Sequence, residues 1–133
     1  RENSSRALLN FGHTFGHALE AETGFGSEML HGEAVAIGMI MALDLSVRMG
    51  LCPAEDLDRT TAHFSSTGLP ISVSAGGDRK WDPVALIGHM GHDKKVRNGR
   101  VTFILARAIG EAFIARDVNM AVVEDMLRCA IAA

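Results

Sequence analysis

Apolar positions recur at helical spacing along most of the chain, and glycine and proline punctuate them. Leu8, Phe11, Phe15 and Leu19 fall three and four residues apart, which predicts a helix over residues 3–23 with one apolar face. Gly24 and Gly26 break that pattern, and residues 24–30 read as a loop. From Ala34 to Leu43 the run is apolar without interruption, inside a helix expected over residues 33–49. A helix that is apolar all round is a buried, central one. The run is too short for the about 20 residues that cross a bilayer. Gly50 stops it in the position of a C′ glycine.

Pro53 opens a third helix, with Ala54 and Glu55 in its first turn, reaching Thr67. Gly68, Pro70 and Gly76-Gly77 mark a long irregular connection. A short helix follows over residues 82–91, with Asp82 as N-cap and Pro83 at the first helical position. Asn98-Gly99 predicts a hairpin turn, flanked by Val96 and by the alternating Val101, Phe103 and Leu105. Ala112 to Ala115 predicts a further strand after Gly110, and Asn119 caps a last helix over residues 119–132. The expectation is one mainly α domain over residues 1–133, a multi-helix unit with a small β-hairpin.

Composition narrows the classes. The 133 residues are 47% apolar and 22% charged, which excludes disordered and collagen-like chains. A net charge of −3 leaves no basic footprint for nucleic acid. Cys52 and Cys129 have no CxxC spacing, so a disulfide scaffold is disfavoured and a reducing, cytoplasmic setting expected. No cationic leader with an apolar stretch and cleavage site is seen, and no membrane partner is expected. Arg1 is not a start methionine and the first residues already read as the interior or start of a helix, so the sequence is read as a piece of a longer protein or a processed form.

The chemistry is concentrated near the N-terminus, where three of the six histidines fall between residues 13 and 31. On one continuous helix, Glu2, Arg6, Asn10, His13, His17 and Glu20 share an arc of about 80°. A merely solvated face normally carries Lys and Glu four apart; this one carries His, Asn and Arg, flanked by Gly12 and Gly16. Each glycine costs a helix roughly 1 kcal/mol against Ala. Close approach by another backbone or by a ligand would account for them.

His13 and His17 stand four apart, as two metal ligands could. The protease pattern HExxH is not met, because Thr14 occupies the place of the general base. His31, in Leu30-His31-Gly32-Glu33, sits at the mouth of the buried helix. A helix N-terminus disfavours imidazolium, and the neutral ring is the form that binds metal. The plain alternative is a capping or loop histidine. Asp93-Lys94-Lys95 suits surface charge or a bound phosphate or carboxylate equally. His63 reads as an exposed helix residue, His89 and His92 as structural, and the seven Met as mainly core.

Three blocks carry a family resemblance. Arg6-Ala-Leu-Leu-Asn-Phe-Gly-His-Thr-Phe-Gly-His-Ala-Leu-Glu20 resembles the signature helix of the 3-dehydroquinate synthase family. Leu30-His-Gly-Glu-Ala-Val-Ala-Ile-Gly-Met39 resembles its second signature. Asp93-Lys-Lys-Val, Gly99-Arg-Val-Thr-Phe-Ile-Leu105 and Ile109-Gly110 resemble its third block, in the right order. The likeness spans essentially the whole chain but only the C-terminal, helical half of such enzymes.

The resemblance implies a second, N-terminal Rossmann-like α/β domain that binds NAD and is absent from this chain, with the active site between the two. It implies a lyase of the shikimate pathway, leading to chorismate and the aromatic amino acids. The reaction converts 3-deoxy-D-arabino-heptulosonate 7-phosphate to 3-dehydroquinate and phosphate, through transient oxidation, phosphate elimination, re-reduction, ring opening and aldol closure. By the same resemblance His13 and His31 match metal ligands for Zn2+ or Co2+, and a third ligand, a Glu, lies in the N-terminal domain. His17 matches a substrate-contacting general base, and Glu2 an acidic proton acceptor. Arg6 and Asn10 match substrate ligands, as does Lys94 or Lys95. A homodimer is expected, and the helical half alone is expected to be inactive. Three alternatives stand beside this reading: a cyclitol-forming sugar-phosphate cyclase, a metal-dependent alcohol dehydrogenase relative, and a non-catalytic helical module.

Overall fold

A computed structural model describes residues 11–23, 31–73, 81–91, 103–115 and 118–132. Five helices and one hairpin occupy them: α1 (His13–Glu22), α2 (His31–Arg48), α3 (Ala54–Ser66), α4 (Pro83–Gly91), β1 (Phe103–Ala108), β2 (Glu111–Ala115) and α5 (Met120–Ala132). The mainly α class with a small hairpin is therefore correct.

Helix α2 is the axis of the domain. It contacts α1, α3, α5 and β1, and it buries Ala34, Ala36, Ile37, Met41, Ala42, Leu43 and Leu45. Each fully buried Leu, Ile or Phe contributes about 1.5–3 kcal/mol. Its apolar run is thus the core that the sequence pattern indicated. The helix ends in a Schellman motif: Gly50 takes φ +74°, its N–H donates to Val47 O, and Leu51 N–H donates to Ser46 O. Asp82 caps α4 through Val84 N–H, and Asn119 caps α5 through Ala121 N–H.

Two expectations need correction. The helix over residues 3–23 does not run unbroken, because Gly12 takes φ +83° and α1 starts at His13. A left-handed residue turns the chain out of the helical path. Glu2, Arg6 and Asn10 lie outside the described residues, so the arc drawn from Arg6 holds only for His13, His17 and Glu20. Those three fall within about 60° on an ideal helix.

The second concerns the alternation expected of β1 and not its pairing, for the strand expected over Ala112 to Ala115 is present as β2. The turn joining the described strands is Ile109-Gly110, with Gly110 at φ +83°, and the pairing runs Phe103↔Ala115 to Ala108↔Glu111. Asn98-Gly99 lies outside the described residues. Nor does β1 alternate between core and solvent. Phe103, Ile104, Leu105 and Ala106 are all buried, with Phe103 stacked 5.5 Å from Phe15 of α1.

Between Ala106 and Ala108 the register slips, and Ser46 of α2 meets the irregularity. Its hydroxyl donates to Ala42 O at 2.7 Å and accepts from Ala106 N–H at 3.0 Å, fully buried. Ser46→Ala leaves that N–H without its partner, so about 1–3 kcal/mol of stability should be lost. A urea denaturation midpoint reads this directly, and an unchanged midpoint would show that the bond contributes nothing.

Candidate active site

The site is built where α1 crosses α2, and glycines set the crossing distance. A Cβ on Gly38 would lie 2.2 Å from Gly12 O and 2.8 Å from Gly16 N. A Cβ on Gly12 would lie 2.6 Å from Met39 N. Another backbone, rather than a ligand, is thus what approaches Gly12 and Gly16. The contact faces one side of α1, where Thr14, Phe15, Gly16, Ala18 and Leu19 are buried. The face beside the glycine contact carries His13, His17 and Glu20, all half-buried.

Helix α2 begins at His31, beside this row. The His13 ring lies 5.4 Å from His17 and 6.5 Å from His31 between centroids, tilted 44° and 69° respectively. Imidazole nitrogens bind zinc at about 2.0–2.1 Å, so two rings sharing one ion have centroids about 5 Å apart. His13 therefore has one neighbour near that spacing and one somewhat beyond it. Glu20 Oε2 lies 2.9 Å from His31 Nδ1. The chemistry of this donor set fits a divalent metal of borderline softness. Among the described residues no group of three His, Cys, Asp or Glu is arranged to hold a metal.

Other sequence candidates fall elsewhere. His63 is exposed on α3, as expected. His89 links α4 to α1, its Nε2 lying 2.9 Å from Glu22 Oε1, which suits its structural reading. Lys94, Lys95 and His92 lie outside the described residues. Both cysteines are free: Cys129 is exposed, and Cys52 is buried. Burial, with a smaller contribution from Asp56, pushes the Cys52 thiol up and away from reactivity. A cavity of about 460 Å³ lies between α3 and the hairpin, lined by Phe11, Leu43, Phe64 and Ile109 among others. None of His13, His17 and His31 lines it, so its apolar walls and the candidate chemistry are separate features. Sequence reasoning placed Glu20 on the polar stripe without a role and did not single out Glu22. Their partners lie 11 and 67 residues away, beyond any local signal.

This mainly helical architecture is that of the C-terminal domain of sugar-phosphate cyclases. Solved neighbours include 2-epi-5-epi-valiolone synthase from Streptomyces hygroscopicus with NAD+ and Zn2+ bound. Its TM-score is 0.75 at 28% identity, covering 92% of this chain and 32% of that one. Another is 2-deoxy-scyllo-inosose synthase complexed with carbaglucose-6-phosphate, NAD+ and Co2+. Its TM-score is 0.73 at 25% identity, covering 91% of this chain and 34% of that one.

The family model for the 3-dehydroquinate synthase C-terminal domain matches residues 1–96, and the chain belongs to that family. It is 56% identical over 133 residues to the 3-dehydroquinate synthase of Rhodospirillum rubrum, and 49% identical over 127 residues to that of Caulobacter vibrioides. It spans about a third of those relatives, 34% of each, and 99% and 96% of its own length is covered. Among the described residues no helix is long and apolar enough to cross a membrane.

Proposed function

We propose that this chain is the metal- and substrate-binding half of a 3-dehydroquinate synthase, acting on 3-deoxy-D-arabino-heptulosonate 7-phosphate as a carbon–oxygen lyase. The observation that carries the reading is the convergence of His13, His17 and His31 at the α1–α2 crossing. Substrate class follows from the higher identity to dehydroquinate synthases than to the cyclitol-forming neighbours. NAD belongs to the N-terminal domain that the family resemblance implies, and the cytoplasm is the expected compartment.

His13 and His31 would hold Zn2+ or Co2+, with a carboxylate from that second domain. A divalent metal there would supply Lewis-acid polarisation of a substrate hydroxyl and of the ketone derived from it. Everything else falls to side chains. His17, within ring contact of His13, would take a proton from substrate. Glu2 serves as a second proton acceptor. Arg6 can grip a carboxylate or phosphate with its planar fork, Asn10 can orient a hydroxyl, and Lys94 or Lys95 can bind an anionic oxygen as a point charge.

A carboxylate separates the heptulosonate phosphate from a neutral-ringed hexose 6-phosphate. Full-length protein offered each in turn should release inorganic phosphate from the heptulosonate at least about 100-fold faster by kcat/KM, since loss of a charged partner leaves buried donors unpaired. Equal or reversed preference would move the chain to the cyclitol-forming branch.

A further inference from the structure

We infer that Glu20 is a positioning residue for the metal site: its carboxylate fixes the tautomer and orientation of His31, so that Nε2 is the nitrogen left to bind metal. This rests on the proposed metal role of His31.

The geometry is specific. Glu20 Oε2 meets His31 Nδ1 at 2.9 Å. The Glu20 side chain is only 13% exposed, whereas the His31 side chain is 66% exposed. A Glu held that far from water needs a partner. A carboxylate only accepts hydrogen bonds, so the proton of the pair sits on Nδ1. In the neutral ring the lone pair is then on Nε2. The backbone that carries Glu20 is itself held: Thr23 Oγ1 donates to its carbonyl at 3.0 Å, and the helix packs on α2 and buries the preceding Leu19. The more enclosed member of the pair is therefore the half-buried carboxylate on α1, and the more exposed one is the imidazole at the first position of α2. Carboxylate–histidine–metal arrangements orient the ring and raise its basicity, and losing the outer partner typically weakens metal binding 10–100-fold.

The test uses the full-length protein. Zn2+ affinity is measured by competition with a chromophoric chelator for wild type, Glu20→Ala, Glu20→Gln and His31→Ala. The tautomer of His31 is read in the metal-free wild type by long-range ¹⁵N–¹H NMR, with His31→Ala assigning the signal. Glu20→Ala should weaken Zn2+ binding on the order of 10–100-fold. Glu20→Gln should recover most of that loss, because its amide oxygen still accepts from Nδ1–H. The wild-type spectrum should show His31 protonated at Nδ1. An Nε2–H tautomer in the wild type overturns the inference even if Glu20→Ala fails to fold. So does wild-type affinity in a folded Glu20→Ala. Wild-type affinity in His31→Ala removes the metal role of His31, and the inference with it; lost affinity there beside an unaffected Glu20→Ala removes the inference alone.

Discussion

His13→Ala and His31→Ala, made separately in the full-length protein, are expected each to strip the metal and lower kcat on the order of 10³-fold. The magnitude follows from the site chemistry: Lewis-acid stabilisation is worth several kcal/mol of barrier, and each 1.36 kcal/mol is about tenfold in rate. The described residues offer no third ligand, so removing one imidazole leaves too few donors to hold an ion. Both variants should keep the wild-type melting temperature within a few degrees, because His13 is half-buried and His31 exposed. Metal content by mass spectrometry, paired with turnover, checks the result. Full occupancy in both variants would remove these residues from the metal site.

Gly38→Ala should be the most destabilising single methyl in the domain. The added Cβ would sit 2.2 Å from Gly12 O, and backbone cannot rotate out of the way as a side chain can. The two helices must separate, opening the interface that buries Phe15, Leu19, Ala34 and Ile37. A loss of about 3 kcal/mol is expected, at the upper end for overpacking. Gly88→Ala is the control. Nothing lies within 4 Å of its added Cβ, so this substitution inside α4 should be neutral or stabilise by up to about 1 kcal/mol. Thermal melts of the two variants should move apart. A Gly38→Ala melt equal to wild type would show that the crossing is looser than its geometry implies. Because His13 and His31 flank this crossing, any folded Gly38→Ala should also bind metal poorly.

What the sequence made legible was mostly local. Asp82, Asn119 and Gly50 were readable because a cap satisfies backbone groups only two to five residues away. The central helix was readable because a helix apolar on every face leaves water only by lying in the core. The pattern at Gly12 and Gly16 showed a cost without showing what imposed it, and Gly38 lay hidden inside an apolar run. Only the packed pair of helices accounts for all three. The helical wheel overreached for a related reason, since it assumes an unbroken helix and Gly12 breaks it. The strand after Gly110 was readable from its apolar run and the glycine before it, and Gly110 does take the left-handed conformation of the turn, at φ +83°. The links from Glu20 to His31 and from Ser46 to Ala106 are tertiary, and no periodicity encodes them.

Whether this helical domain serves a metal-dependent synthase of the heptulosonate phosphate is read most directly from phosphate release. Full-length protein with NAD is given 3-deoxy-D-arabino-heptulosonate 7-phosphate before chelation, after chelation and after Zn2+ or Co2+ is restored, with 3-dehydroquinate followed in parallel. Phosphate and dehydroquinate should appear in equal amounts, disappear with the metal and return with it. Metal-loaded, NAD-supplied protein that releases no phosphate, or turnover indifferent to the chelator, would refute that role.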